Sequence, residues 1–411
     1  MFSQKHGRFQ ALDGLRAIAI LQVILFHCFY LNYASFSPAT RDNLLVEMSP
    51  WFNWVWQGDK GVDLFFVLSG FLITMLLLKE YTQRGQVNIA SFFMRRAGRI
   101  LPAYLLLLLF GWAIGQPNSE WLWTNLLFVN NMTSPETLYL PWSWSITVEV
   151  QFYIIFPLVI LPMLIYSGKP LSVALLIVIA TIMIRQYVIS NHYPLVTIPF
   201  YEQVYDADAF SGWWNAVYIP LYSRAGPITF GIAAAVIHTY HSQALDSFIQ
   251  IHRGSTKLLL FFAFILLVLS QSVPYHIPQY EYLSYIGESG NYWLLGQHRN
   301  LFAFSCTLIL LFALKPRGYY EQLNKFLRNR TLVYIAKVSY SAYLFHILLL
   351  KQIFQFLRVD LLLDTGEYTW LILGTILTLL ATLIVSSIIY VLIEKPFIDL
   401  THRQFKQIDN T

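Results

Sequence analysis

Ten stretches of this chain are long and apolar enough to cross a bilayer, roughly residues 11–31, 61–78, 100–116, 146–166, 171–190, 223–240, 258–272, 299–314, 338–357 and 368–392. A helical span needs about 20 mostly apolar residues, and only short polar connections separate these stretches. The pattern predicts an all-α polytopic membrane protein with about ten transmembrane helices. No fixed-period repeat, low-complexity tract or hydrophilic linker leads to a second domain. Residues 1–400 therefore read as one transmembrane domain, and 401–411 as a short polar cytoplasmic tail.

The connections alternate in basic residues. One set holds Lys5 and Arg8, then Lys79, Arg84, Arg95, Arg96 and Arg99, and later Lys315, Arg317, Lys325, Arg328, Arg330, Lys337 and Lys395. The other set is nearly bare: 117–145 and 191–222 contain no Lys or Arg and carry Glu120, Glu136, Glu202, Asp206 and Asp208 instead. Lys and Arg gather in cytoplasmic loops, so both termini are expected in the cytoplasm. With that orientation all twelve Trp fall in outer loops or the outer halves of spans. Interfacial anchoring accounts for single tryptophans. The clusters WFNWVW at 51–56 and PWSWS at 141–145, which includes Trp142 and Trp144, have a second reading as stacking platforms for a sugar acceptor.

Composition agrees with a lipid environment: 56% of the 411 residues are hydrophobic, 12% are charged, and there are 31 Phe, 26 Tyr and 12 Trp. The net charge of +5 does not point to nucleic acid, because the basic residues sit beside apolar segments and form no solvated patch. Cys28 and Cys306 lie in apolar segments without metal-ligand spacing, so neither disulfide nor metal is expected. The basic start MFSQKHGRFQ resembles a signal n-region, but the apolar run behind it is too long for a cleaved peptide. It reads as a retained first span.

Ionisable residues inside spans cost on the order of 3 kcal/mol each and usually face an interior or a watery cavity. In LDGLRAIAILQVILFHC, Arg16 and His27 are eleven residues apart, three helical turns plus about 20°. Both then project from one face, about 16 Å apart along the axis. Arg16 suits a phosphate grip and His27 a general base; the bland reading is a snorkelling arginine and a packed histidine. GVDLFFVLSGFLIT places Asp63 near the end of a span, with Ser69 and Gly70 near its middle, where helix packing alone explains a Ser-Gly pair. SFFMRRAGRILPAY packs Arg95, Arg96 and Arg99 before a span, as topology demands or as a polyphosphate ligand would require. In PWSWSITVEVQFYIIFP, Glu149 enters a span with Tyr153 one turn further on the same face. Glu149 or Asp63 suits the task of orienting an imidazole. Arg224 and His346 are further buried-polar candidates, either of which serves equally as the partner of another buried charge.

Together these segments resemble the acyltransferase 3 family of membrane acyltransferases. The resemblance is carried by Arg16 and His27 with ten residues between them, GVDLFFVLSGFLIT, FFMRRAGRILPAY, WSWSITVEVQFY, RAGPITFG, SYSAYLFH and the closing IEKPF, in family order from residue 9 to about 398. It implies about ten spans and transfer of an acyl group, often acetyl, from cytoplasmic acyl-coenzyme A to a hydroxyl of a cell-envelope or secreted glycan. His27 would be the catalytic histidine, Arg16 its motif partner, and Arg95, Arg96 and Arg99 contributors to donor binding, with Ser69 along the donor's path. Trp142, Trp144, Tyr153, Arg224 and His346 would support the site or the glycan or lipid-linked glycan acceptor. The expected location is the bacterial inner membrane, and no metal is needed because the thioester is already activated. Some relatives carry a C-terminal SGNH hydrolase-like domain. This sequence stops soon after IEKPF, so its membrane portion is expected to act on the acceptor directly or through a separate envelope relay protein. Two rival classes remain: a transporter or flippase, and a non-catalytic protein on the same scaffold.

Overall fold

In a computed structural model of the chain, residues 9–33, 35–44, 53–192, 206–272, 287–315, 320–359 and 366–408 are described. Lys5, Arg8, Trp51, Glu202, Arg317 and the last three residues of the tail lie outside them. Every regular element among the described residues is helical. Ten long helices follow in chain order: α1 (Gln10–Tyr33), α2 (Lys60–Arg84), α3 (Ile89–Ala113), α4 (Trp144–Ile155, running through a wide turn at Phe156–Ile160 into Leu161–Tyr166), α5 (Pro170–Asn191), α6 (Leu221–Tyr240), α7 (Arg253–Ser272), α8 (Gly287–Ala313), α9 (Arg330–Val359) and α10 (Glu367–Ile389, with a wide turn at Tyr390–Glu394 before Lys395–Ile408). Pro157 and Pro396 sit in or just after the two wide turns. Proline has no N–H to give to the ladder and opens it locally.

Among the described residues eight helices, α1 to α5, α7, α9 and α10, are long and apolar enough to cross a membrane. The sequence led us to expect ten. The two others, α6 and α8, coincide with the expected spans 223–240 and 299–314 but carry too much polarity: Ser223, Arg224 and Thr229 on α6, and Gln297, His298, Arg299 and Asn300 on α8, all buried. A helix enclosed by other helices meets protein instead of lipid, and polar groups are tolerated there when paired. The expected domain boundary at 400 falls inside a helix that continues to Ile408, with Thr401 packed on Gly98 of α3.

The outer helices show which solvent the fold expects. On α10, Ile372, Ile376, Leu380, Ile384 and Ile388 are exposed at a spacing of four residues, whereas Thr375, Thr378, Thr382 and Ser386 are buried on the other side. That arrangement is the inverse of a water-soluble helix and places an apolar stripe against lipid. The chain is an integral membrane protein.

The bundle centre is set by α2 and α6. A Cβ on Gly70 would lie 2.2 Å from the Ile228 carbonyl oxygen, and one on Gly231 would lie 2.1 Å from that of Val67. The two backbones thus touch where side chains would otherwise separate them. Helix α1 packs on α2, α9 and α10, and α6 also packs on α5 and α8. Gly231→Ala is expected to destabilise the protein by about 1–3 kcal/mol, because overpacking against a backbone carbonyl outweighs the gain of up to ~1 kcal/mol in helix propensity. Thermal unfolding followed by tryptophan fluorescence checks this; an unchanged midpoint would show that the helices can part at no cost.

Candidate active site

Helix α1 supplies two points of the site, and the neighbouring helices build it around each. At Arg16, the surrounding charged and phenolic groups are Asp13 of the same helix, Arg99 of α3, and Glu149 and Tyr153 of α4. Glu149 accepts hydrogen bonds from the Ser69 hydroxyl of α2 and from the Tyr153 hydroxyl one turn along α4. Arg96 lies over the rings of Phe92 and Tyr153, 5.8 Å from each centroid. Five sequence candidates, Arg16, Ser69, Arg96, Arg99 and Glu149, therefore meet with Tyr153 in one place.

Local contacts divide the arginine cluster. Arg96 and Arg99 are three residues apart and share a face; Arg95, although one turn before Arg99, is tied to partners of its own. It donates to the Ser91 hydroxyl, and its other amino group lies 3.9 Å from Glu80. Arg95 is thus held at the rim by its own local partners. Arg16, Ser69, Arg96, Arg99, Glu149 and His27 are all only partly buried although they lie within or beside spans. Polar groups within spans usually face an interior or a watery cavity.

At the other point, the Nδ1 atom of His27 lies 2.9 Å from the Val23 carbonyl oxygen and 3.1 Å from Nε2 of His346 on α9. The Nδ1 atom of His346 is 2.7 Å from the Tyr343 carbonyl oxygen. Carbonyl oxygens only accept, so each Nδ1 carries a proton in the neutral rings. His346 Nε2 then offers a lone pair to the His27 Nδ1–H, and the lone pair of His27 is left on Nε2. This is the form a general base requires.

The sequence reading offered Glu149 or Asp63 as the group that orients His27. The structure brings His346 to the ring instead, Glu149 being engaged by Ser69 and Tyr153 and Asp63 by arginines. His346 is in turn placed by a small network. The Trp142 indole donates to the Leu344 carbonyl oxygen at 3.0 Å, and the Tyr343 hydroxyl donates to the Trp142 carbonyl oxygen at 2.5 Å. Ser145 donates to the Tyr343 hydroxyl at 2.6 Å. Trp142 and Trp144 are consequently buried pieces of the helix packing and not an open stacking platform. Trp144 lies under a guanidinium, 4.7 Å from the Arg224 carbon.

Asp63 accepts from Arg224 at 3.2 Å and from Arg299 at 2.6 Å, and Arg299 also reaches Asp59, which takes a 3.2 Å bond from the Tyr218 hydroxyl. Asp59 and Arg299 were not singled out from the sequence. The signals were present: Asp59 precedes Asp63 by one turn in DKGVD, and Arg299 sits in QHRN at the head of an apolar run. Glu394 of IEKPF was also passed over; it accepts from the Ser341 backbone N–H at 3.1 Å and from its hydroxyl, and so ties the wide turn of α10 to α9.

Helix α1 thus carries a histidine pair near one part and an arginine-rich, partly open part further along. The profile of the acyltransferase domain family Acyl_transf_3 matches residues 9–391, and the chain belongs to that family. It is 26% identical over 356 residues to O-acetyltransferase OatA of Staphylococcus aureus (strain NCTC 8325 / PS 47), an alignment covering 82% of this chain and 49% of the relative. It is 34% identical over 180 residues to a protein described as "Putative O-acetyltransferase" from Staphylococcus aureus (strain COL), covering 38% of this chain and 26% of that relative. The chain thus spans between about a quarter and a half of the length of these relatives. No solved structure matches it significantly.

Proposed function

We propose that this protein moves an acyl group, acetyl in the simplest case, from acyl-coenzyme A on the cytoplasmic side to a hydroxyl of an envelope or secreted glycan on the other. The observation that carries the reading is the His27 ring, whose Nδ1 is fixed by Val23 and His346 while Nε2 keeps its lone pair, on the same helix as Arg16. The phosphates of the donor rest on Arg96 and Arg99, and the pantetheine arm runs along the partly open face past Arg16 and Ser69. The thioester then reaches His27. Nε2 takes the proton of the acceptor hydroxyl as its oxygen attacks the thioester carbonyl; the C–S bond breaks, and the departing thiolate recovers the proton from the imidazolium. An acyl-imidazole on Nε2 is the covalent variant of the same step. Glu149, held by Ser69 and Tyr153, balances the arginines near Arg16. A bacterial inner membrane would supply both compartments, with the acceptor free, lipid-linked, or reached through a separate relay protein.

Purified protein should release coenzyme A thiol from acetyl-coenzyme A in the presence of glycan acceptors, and the release should require His27. Protein that moves a glycan across vesicles without consuming the thioester would instead be a transporter. The donor contacts have their own test. Charged hydrogen bonds are each worth about 1.5–3 kcal/mol, so Arg96→Glu or Arg99→Glu is expected to raise the donor KM by roughly tenfold or more. Arg95→Glu should have a smaller effect, because Arg95 is engaged by Ser91 and Glu80. Equal effects at all three positions would refute this division of the cluster.

A further inference from the structure

At the N-terminal end of α2 lies a buried cluster that the transfer chemistry does not use. It holds four cationic side chains, Lys60, Arg185, Arg224 and Arg299, and two carboxylates, Asp59 and Asp63, all buried. The carboxylates are taken by Arg299, which bridges both, and by Arg224. Neither of the other two cations forms an ion pair among the described residues. Arg185 ends on the Gly296 carbonyl oxygen at 2.7 Å and on the carbonyl and hydroxyl oxygens of Ser223 at 2.9 and 2.8 Å. Lys60 ends on Gln57 and, at 2.7 Å, on the Ser270 carbonyl oxygen. A network built only to hold helices together would match its charges, because an uncompensated buried ion carries a large desolvation penalty.

The same cluster has open donors. The Arg224 guanidinium is fixed on nearly every side: Nε donates to the Tyr218 carbonyl oxygen, Nη1 to Asp63, and its faces lie 4.7 Å from the Trp144 ring and 4.2 Å from the Tyr218 ring. Among the described residues its Nη2 alone has no partner, and the same holds for the indole N–H of Trp214, which stacks on Tyr218 at 5.0 Å, and for the side-chain amide nitrogen of Gln57. One acceptor, Oδ1 of Asp59, is also unpartnered. Unsatisfied buried donors beside surplus positive charge fit an oxyanion, and an unpaired carboxylate oxygen beside them fits a hydroxyl on the same molecule. Gly58, beside Asp59, packs on Phe26, the residue before His27 in α1.

We propose that this cluster is an anion subsite, lined by Arg224, Trp214 and Gln57 with Asp59 at its edge, that takes the carboxylate or phosphate of an anionic sugar and presents a neighbouring hydroxyl towards His27. The proposal rests on the acyl-transfer reading and adds the charge class of its acceptor.

The test uses the full chain purified in an uncharged detergent at low salt, with glucuronate, glucose 6-phosphate and glucose as probes and thermal unfolding as the readout. Glucuronate or glucose 6-phosphate is expected to raise the unfolding midpoint, and glucose is not. Stabilisation by one anion alone identifies the carboxylate or the phosphate as the group bound. Arg224→Lys keeps a positive charge facing Asp63 but lacks the open Nη2, and should abolish the shift. If that variant does not fold, Trp214→Phe keeps the stacked ring without the N–H and should weaken the anion by about fivefold, the ordinary worth of one hydrogen bond. Equal stabilisation by glucose, no stabilisation by either anion, or an anion affinity unchanged in the folded variants overturns the proposal. Coenzyme A release is measured in parallel: anion binding without release counts against the transfer reading alone, and release without anion binding against the subsite alone.

Discussion

Replacement of His27 by alanine is expected to lower acyl transfer by about 10² to 10⁴-fold, the range that a positioned general base contributes, or roughly 3 to 5 kcal/mol of barrier. The side chain is partly open and, among the described residues, hydrogen-bonded to Val23 and His346 alone, so its loss leaves no buried charge and little packing behind. The variant should therefore unfold near the wild-type temperature and bind acetyl-coenzyme A with nearly unchanged affinity, because Arg96 and Arg99 of α3 gather near Arg16, about three turns from His27 along α1. Thiol release, donor titration and thermal unfolding on one preparation separate these quantities. Wild-type turnover in the variant would remove His27 from the chemistry altogether.

The second large effect is expected at His346, which touches no reacting atom and acts by positioning His27. Without the Nε2 of His346 as acceptor, the His27 ring is held by the Val23 carbonyl alone, and misplacement of a reacting group by about 1 Å is enough to cost on the order of 100-fold in rate. His346→Leu should thus lower kcat by about two orders of magnitude with the donor KM unchanged. His346→Gln carries an amide oxygen able to accept from the His27 Nδ1–H and should recover a substantial part of the loss. A purely structural histidine would give no such ordering; equal activity of the Leu and Gln variants would show that the His27–His346 contact does not matter to the reaction.

The sequence showed some of this site and hid other parts for identifiable reasons. Arg16 and His27 lie on one helix, and helical phase alone relates them. The convergence of Glu149 with Tyr153 is likewise a one-turn relation. Helical phase does not separate Arg95 from Arg99, one turn away; its contacts with Ser91 and Glu80 set it apart. His346 could not be matched to His27, because the contact joins residues 319 positions apart and depends on how α9 packs against α1. Trp142 and Trp144 misled because tryptophan near a span end suggests an interface, whereas here the indole N–H and ring face serve a carbonyl and a guanidinium. Spans α6 and α8 were visible as apolar runs. Their central position was not, since burial by neighbours is what lets a helix carry Arg224 or Arg299.

The close approach of α2 and α6 at Gly70 and Gly231 bears on how two compartments can share one reaction. Ser69 and Asp63 belong to one of these helices and Arg224 to the other, so groups from both parts of the site are carried on helices joined backbone to backbone at the centre of the protein. Rocking of one half against the other would have to break that seam, and with it the ion pairs of Asp63. That cost favours a partition that stays in place. In the proposed transfer, donor and acceptor would then each come to a fixed meeting point, and only the acyl group would cross.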